Sequence, residues 1–355
     1  MKSTRAVAVL VGIALGITTV PILTTGAAAA VNPCRLPDGV LDVRDLGARS
    51  AVACDAVGRL VDAGDGVPLA IQPPGHGVVQ GRLYPTGART YTLTTDAQGV
   101  LTTDVQEPVT TRELETGTSI LGRKADEFPD VPGPGACERD TYALAGFRWD
   151  RPYLFRTTIG TALGTERQAD FDAAARRAFD NLTKGRNTCG MRGGTRAVAA
   201  LIGHTATAGN FAYVDDQVTC TAPDSRNVLD EGDMPGGFLE ALLAAYCVWT
   251  ETRHGATRAV SADLRFNDGD YNWTYHPNDP ACDPALPPDP DRWLYDVEST
   301  LTHEAGHVFG LVNLSADEDV NLTMYPGIRR CTGHFRTLGR GDVLGMRALY
   351  PKPPR

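Results

Sequence analysis

His303, Glu304 and His307 stand together in the run "HEAGHVFGLVNLS" (303–315). On a helix, residues four apart share a face, so His303 and His307 present two imidazoles side by side. Imidazoles at this spacing can hold a divalent metal such as Zn2+, and the carboxylate between them can exchange a proton with a water there. Five-residue strings of this type also arise by chance, so the flanks decide. Gly310 follows three residues after His307, where a helix must stop and its chain swing back. Glycine accepts the left-handed turn that this needs. Asn313 follows three residues after Gly310. Farther on, "NLTMYPG" places Met324 before Tyr325-Pro326.

These elements, in this order, resemble the metzincins, and among them the matrixin-like branch. That signature is HExxHxxGxxH followed by a methionine turn that supports the site from beneath. "ADLRFNDGDYNWT" (262–274) looks like the matrixin strand beside the cleft, and "TLGRGDVLGMRALYP" (337–351) like the closing helix. The resemblance covers about Tyr142 to Pro351. It implies a secreted zinc endopeptidase, with protein or peptide as its substrate. His303 and His307 would be zinc ligands, Glu304 the catalytic acid/base, Met324 the methionine-turn residue, and Tyr325 and Pro326 part of the pocket wall. Asn313 departs from the pattern, standing where a third histidine belongs. A neutral amide is a poorer zinc donor than imidazole. Three readings stay open: weaker zinc binding through Asn313 with hydrolysis retained, a nearby carboxylate such as Asp317 in its place, or a silent pseudoprotease acting as a secreted binding protein. Structural Ca2+ is compatible with the acidic loops at 267–270 and 278–291, but no ligand set with calcium spacing is readable there.

The elements that must position these residues can be read along the chain. The motif helix is predicted to start at Asp289-Pro290, with Leu294, Val297, Leu301, Ala305, Val308 and Val312 facing a core. "TERQADFDAAARRAFDNLTKG" (165–185) predicts a helix capped by Thr165 and Gln168. Its buried face is Phe171, Ala175, Ala178 and Leu182, and Gly185 ends it. "YALAGFRW" and "PYLFRTTIG" read as strands. "LLAAYCVWTE" and "TRAVSADLRFN" read as a hairpin turning at His254-Gly255. Arg340-Gly341-Asp342 has the letters of an adhesion motif, but an acidic first turn of a helix explains it as well. Before Val131, runs such as "RTYTLTTDAQGVLTTDV" and frequent turn signals predict a small all-β domain. The expected class is therefore α+β: a twisted mixed sheet packed on helices, including the HExxH helix, preceded by that β-rich domain. The expected division is a signal peptide at 1–30, the β-rich domain at 31–137 and the catalytic domain at 138–355. The boundary falls in the Pro/Gly stretch "FPDVPGPGAC".

Lys2 and Arg5, an apolar run from Ala6 to Leu23 and the small residues of "GAAAAV" read as a secretory signal cut after Ala30. Its removal takes the net charge from −9 to −11, because two basic residues and no acidic ones are lost. An acidic chain of this kind argues against nucleic acid and anionic membranes as partners. No later run could span a membrane, and a monomer is expected. The 8 cysteines include no C-x-x-C pair, which points to disulfides in an exported bacterial protein. Cys34–Cys54, Cys137–Cys189, Cys220–Cys247 and Cys282–Cys331 are the simplest pairs. "NPCRLPDG" (32–39) is similar to the cysteine-switch segment of matrixin propeptides, but that use of Cys34 would strand Cys54.

Overall fold

The computed structural model describes residues 34–84, 87–106, 135–158, 168–234, 242–269, 271–276, 294–314, 317–328 and 332–352. The signal segment, the Thr165 cap, Asp289-Pro290, Cys282, Cys331 and most of the Pro/Gly stretch lie outside them.

The chain is mixed α+β and strand-rich. Strands β1 (Leu41–Asp42), β2 (Leu60–Asp62) and β3 (Pro68–Ala70) form one small sheet, with the one-turn helix α1 (Val43–Leu46) beside it. An antiparallel run follows: β4 (His76–Tyr84), β5 (Gly87–Thr95) and β6 (Leu101–Gln106). Then come β7 (Tyr153–Thr158), helix α2 (Gln168–Lys184), β8 (Ala199–Thr205), the small hairpin β9 (Phe211–Val214) and β10 (Gln217–Cys220), and β11 (Val228–Glu231). The long hairpin β12 (Ala244–Arg253) and β13 (Ala256–Phe266) turns at His254 (φ 52°) and Gly255 (φ 75°), the paired left-handed conformation of a two-residue hairpin loop. β14 (Asn272–Thr274), β15 (Leu294–Asp296) and helices α3 (Val297–Val308) and α4 (Arg340–Leu349) complete the elements.

The main sheet has eight strands in the order β6-β5-β4-β12-β13-β11-β7-β8. Its half from β13 to β8 is parallel and its half from β6 to β13 antiparallel. The two sequence regions on either side of the Pro/Gly stretch thus share one sheet, joined where β4 pairs with β12. Alternation along these strands divides two cores. Val79, Leu83, Tyr246 and Val248 pack with Phe171, Leu301 and Ala305 of α2 and α3. Val78, Cys247 and Trp249 pack on the other face with Leu41, Val61 and Leu69.

Helix α2 buries Phe171, Ala175, Ala178 and Leu182 as its periodicity requires, and Gly185 leaves it at φ 62°. Its Asn181 Nδ2 donates to Thr302 Oγ1 at 3.1 Å and its Arg177 Nε to Glu298 at 2.6 Å, which fixes α2 against α3. The motif helix starts later than the sequence suggests. Leu294–Asp296 is strand, paired in parallel with β14, and Tyr295 packs edge-on to Tyr271. Asp296 takes the cap, accepting from Ser299 N at 2.7 Å. The helix also ends at Val308, so Val312 lies beyond it. "YALAGFRW" forms no strand; Leu144 and Arg148 make only single bridges, to Leu311 and Arg258. No helix among the described residues is long and apolar enough to cross a membrane.

Disulfides join Cys34 to Cys54, Cys137 to Cys189 and Cys220 to Cys247, and no described cysteine is free. Three such pairs are consistent with an extracellular protein. Cys34 is thereby engaged with Cys54.

Candidate functional site

Helix α3 carries His303 and His307 one turn apart, and every residue of the helix is buried. Their Nε2 atoms are 3.2 Å apart, with the rings nearly perpendicular. The opposite nitrogens are committed elsewhere. His303 Nδ1 donates to Thr323 O at 2.7 Å, and His307 Nδ1 donates to Leu311 O at 3.0 Å. A carbonyl oxygen only accepts, so each Nδ1 must carry the proton. A neutral imidazole then has its lone pair on Nε2, and the two lone pairs face one another. Burial pushes His303 down to about 4 and His307 to about 3, so both rings are neutral near pH 7.

Asn313 lies beside both rings, where its amide partly offsets that effect. Its Oδ1 is buried without a hydrogen-bond partner. Glu304 is 1% exposed, and neither of its carboxylate oxygens has a partner. Burial alone pushes its carboxyl up to about 8. A native structure seldom strands buried acceptors in this way without a reason. The neighbouring carboxylates point to other tasks: Asp319 is held by Arg139 at 3.0 Å, and Glu318 is exposed and 3.7 Å from the same guanidinium. The side chain of Asp317 lies outside the described residues. Among the described residues, no three of His, Cys, Asp and Glu are placed to share one ion. Two imidazoles and an amide are what the site offers.

The turn after α3 takes the form that the spacing predicts. Gly310 sits at φ 96°, and its N–H donates to His307 O at 2.9 Å. A Cβ there would meet Phe147 O at 2.5 Å, so glycine is required twice over. Met324 is buried under α3 with its sulfur against Gly306, whose missing Cβ leaves room for it. Leu314 N donates to Met324 O at 2.9 Å, which ties the chain after Asn313 to the methionine turn. Tyr325 and Pro326 follow as buried residues, but neither lines the cavity beside His307.

Sequence reasoning missed three residues. Asp342, in the first turn of α4, is buried and accepts from Thr323 N at 2.8 Å, Met324 N at 3.2 Å and Gly339 N at 2.8 Å. It anchors the turn whose Thr323 carbonyl orients His303, and it is too buried to serve in an adhesion motif. Gly306 was one of the variable positions of the motif. Tyr246, on β12, stacks on His307 with ring centroids 4.6 Å apart and 23° between planes. Its hydroxyl is 3.3 Å from Thr90 Oγ1. Period-2 alternation puts Tyr246 on one face with Ala244 and Val248, yet nothing in the sequence says what covers that face.

The cavity beside His307 measures about 50 Å3 and is lined by Val79, Thr90, Thr92, Gln106, Tyr246 and Val312, among others. A larger groove of about 300 Å3 runs between Arg148, Arg151, Arg196 and Tyr350. It is lined by none of His303, Glu304 and His307, whereas the smaller cavity reaches His307. No protein-family model matches the chain, and no curated protein matches it.

Proposed function

We propose that this chain is a secreted zinc endopeptidase of the metzincin, matrixin-like kind, with His303, His307 and Asn313 as its metal-binding side. The observation that carries this reading is the pair of Nε2 atoms 3.2 Å apart with both Nδ1 protons tied to backbone carbonyls. Two converging lone pairs repel unless a cation or a proton lies between them, and burial keeps the protons away. Carbonyls bonded to the far nitrogens are the usual means of orienting histidine ligands. The orphaned Asn313 Oδ1 supplies a third oxygen donor, so the residues present fit a divalent cation. Bound there, zinc would polarise the scissile carbonyl and acidify a water.

The chain's own residues do the rest. Burial favours the protonated form of Glu304 near pH 7. Beside a bound cation its carboxyl would ionise, and the carboxylate would accept a proton from the attacking water and pass it to the leaving amine. Thr323 O and Leu311 O hold the imidazoles in register, and Met324 under Gly306 keeps the floor of the site rigid. Tyr246 covers one face of His307 and keeps bulk water from it. A neutral third donor holds zinc less tightly than imidazole would, so metal occupancy is the weak point of the design.

Metal analysis of purified protein, paired with a protein-digestion assay, tests the reading. About one zinc per chain, lost in His303→Ala, with digestion that disappears in Glu304→Gln, is the expected result. Zinc bound without digestion would favour a silent binding protein on the same scaffold. Absence of zinc binding would remove the metal reading altogether.

A further inference from the structure

The groove of about 300 Å3 at the C-terminal end of α3 has the size of a small-ligand site. Three guanidinium groups line it, those of Arg148, Arg151 and Arg196, in a chain whose net charge is −9. Asp150 is the single acidic residue among its lining residues, and Arg258 already holds that carboxylate at 2.5 Å. Arg151 donates to Val260 O. The side chains of Arg148 and Arg196 have no hydrogen bond or ion pair among the described residues. Two cations thus border a concave surface without a described counter-charge, and a cleft concentrates such a field.

The rest of the groove is largely apolar and firmly held. Trp149 and Tyr350 line it, each 5% exposed, and Val198 adds an apolar side chain open to solvent. Trp149 N donates to Tyr350 Oη at 3.0 Å, Trp149 Nε1 to Val308 O at 2.7 Å and Tyr350 Oη to Phe309 O at 2.9 Å. Arg196 N donates to Tyr350 O at 3.1 Å, which joins the approach to β8 to the end of α4. The indole N–H and the phenol hydroxyl are therefore both engaged, and what the two rings still offer is apolar surface. Walls that are already ordered lose little entropy when a ligand arrives.

We infer that this groove binds a small organic anion, its oxyanion head held by Arg148 and Arg196 and its apolar body set against Trp149 and Tyr350. The planar guanidinium fork presents paired N–H donors that match a carboxylate or a phosphate. A bare inorganic ion leaves the apolar wall uncovered, and a neutral apolar molecule leaves the arginines unanswered. The volume suits an aromatic ring on a short chain and is too small for a folded partner. None of His303, Glu304 and His307 lines the groove, so binding here does not depend on the zinc peptidase reading.

Isothermal titration calorimetry on the full chain, freed of metal, tests this. The probes are phenylpropionate and phenyl phosphate, set against phenylpropionamide and inorganic phosphate. Saturable binding of an aromatic anion is expected, about tenfold or more tighter than that of the amide or the bare ion. The tighter of the two anions identifies the head group. Arg148→Ala and Arg196→Ala should each weaken that binding about tenfold, because each removes a charge-assisted contact. Both side chains are exposed, so the thermal melt should not move. Arg226→Ala, which removes an exposed arginine outside the groove, should leave binding within about twofold of wild type. Inorganic phosphate bound as tightly as phenyl phosphate would mean an adventitious ion only and would overturn the inference. Equal binding of the amide, no saturable binding of either aromatic anion, or binding indifferent to both groove variants would overturn it as well.

Discussion

At the scale of single residues, the proposed chemistry rests on Glu304 and Asn313, and Glu231 carries a stability signal. Glu304→Gln keeps the size of the side chain but cannot take a proton, so turnover should fall about 10²–10⁴-fold. Bound zinc should stay within about twofold of wild type, and equal activity in both proteins would locate the hydrolysis elsewhere. Asn313→His should tighten zinc by roughly tenfold or more, because imidazole is the stronger donor and Gly310 already makes the turn. Chelator competition measures this. No tightening, together with zinc loss in Asp317→Ala, would hand the third position to Asp317. Glu231 is held up to about 8 from its ordinary 4.5, first by burial and then by Asp268 and Asp230. Between pH 4.5 and 8 the unfolded chain has lost a proton that the folded chain keeps, so stability falls as pH rises through this window. Glu231→Gln should therefore stabilise the protein at pH 8 by about 2 kcal/mol and much less at pH 5, read from denaturant melts. A gain that is independent of pH would refute this.

Among elements, the joint between α3, the methionine turn and α4 decides whether the histidines are aimed. Three backbone N–H groups converge on Asp342, two from Thr323 and Met324 of the turn and one from Gly339 at the start of α4, and the turn holds His303 through Thr323 O. Asp342→Ala leaves those donors buried and unpaired, and should destabilise the fold by about 3 kcal/mol. Zinc affinity should fall with it, since the His303 ring loses its stop. Unchanged zinc affinity in a folded Asp342→Ala protein would show that the turn does not aim His303. Gly310→Ala adds a methyl group against Phe147 O at a φ of 96° and should lower stability by about 2 kcal/mol or more. A thermal melt superimposable on wild type would mean that the turn after α3 is softer than its geometry implies.

For the whole molecule, the crosslinks set which parts can separate. Cys34–Cys54, Cys137–Cys189 and Cys220–Cys247 leave Cys282 and Cys331 as the remaining pair of the 8 cysteines. Peptide mapping of unreduced protein should link Cys282 to Cys331 and find no free thiol. A bridge from either of them to any other cysteine would contradict this pairing.

The local signals in the sequence were enough for whatever depends on neighbours along the chain. The period-3.6 face of α2, the His254-Gly255 hairpin, the glycine stop after α3 and the nearest-neighbour disulfides all follow from short-range backbone preference and loop closure. The same reasoning put His303 and His307 side by side. It misplaced the start of α3, because Leu294–Asp296 gains a strand partner in β14, a contact that no local propensity encodes. Only the tertiary structure set β4 against β12, stacked Tyr246 on His307 and brought the Asp342 carboxylate under the methionine turn. These are pairings between segments far apart in sequence. They are decided by which faces bury each other and which backbone groups are left to bond, and a linear pattern records the faces without naming their partners.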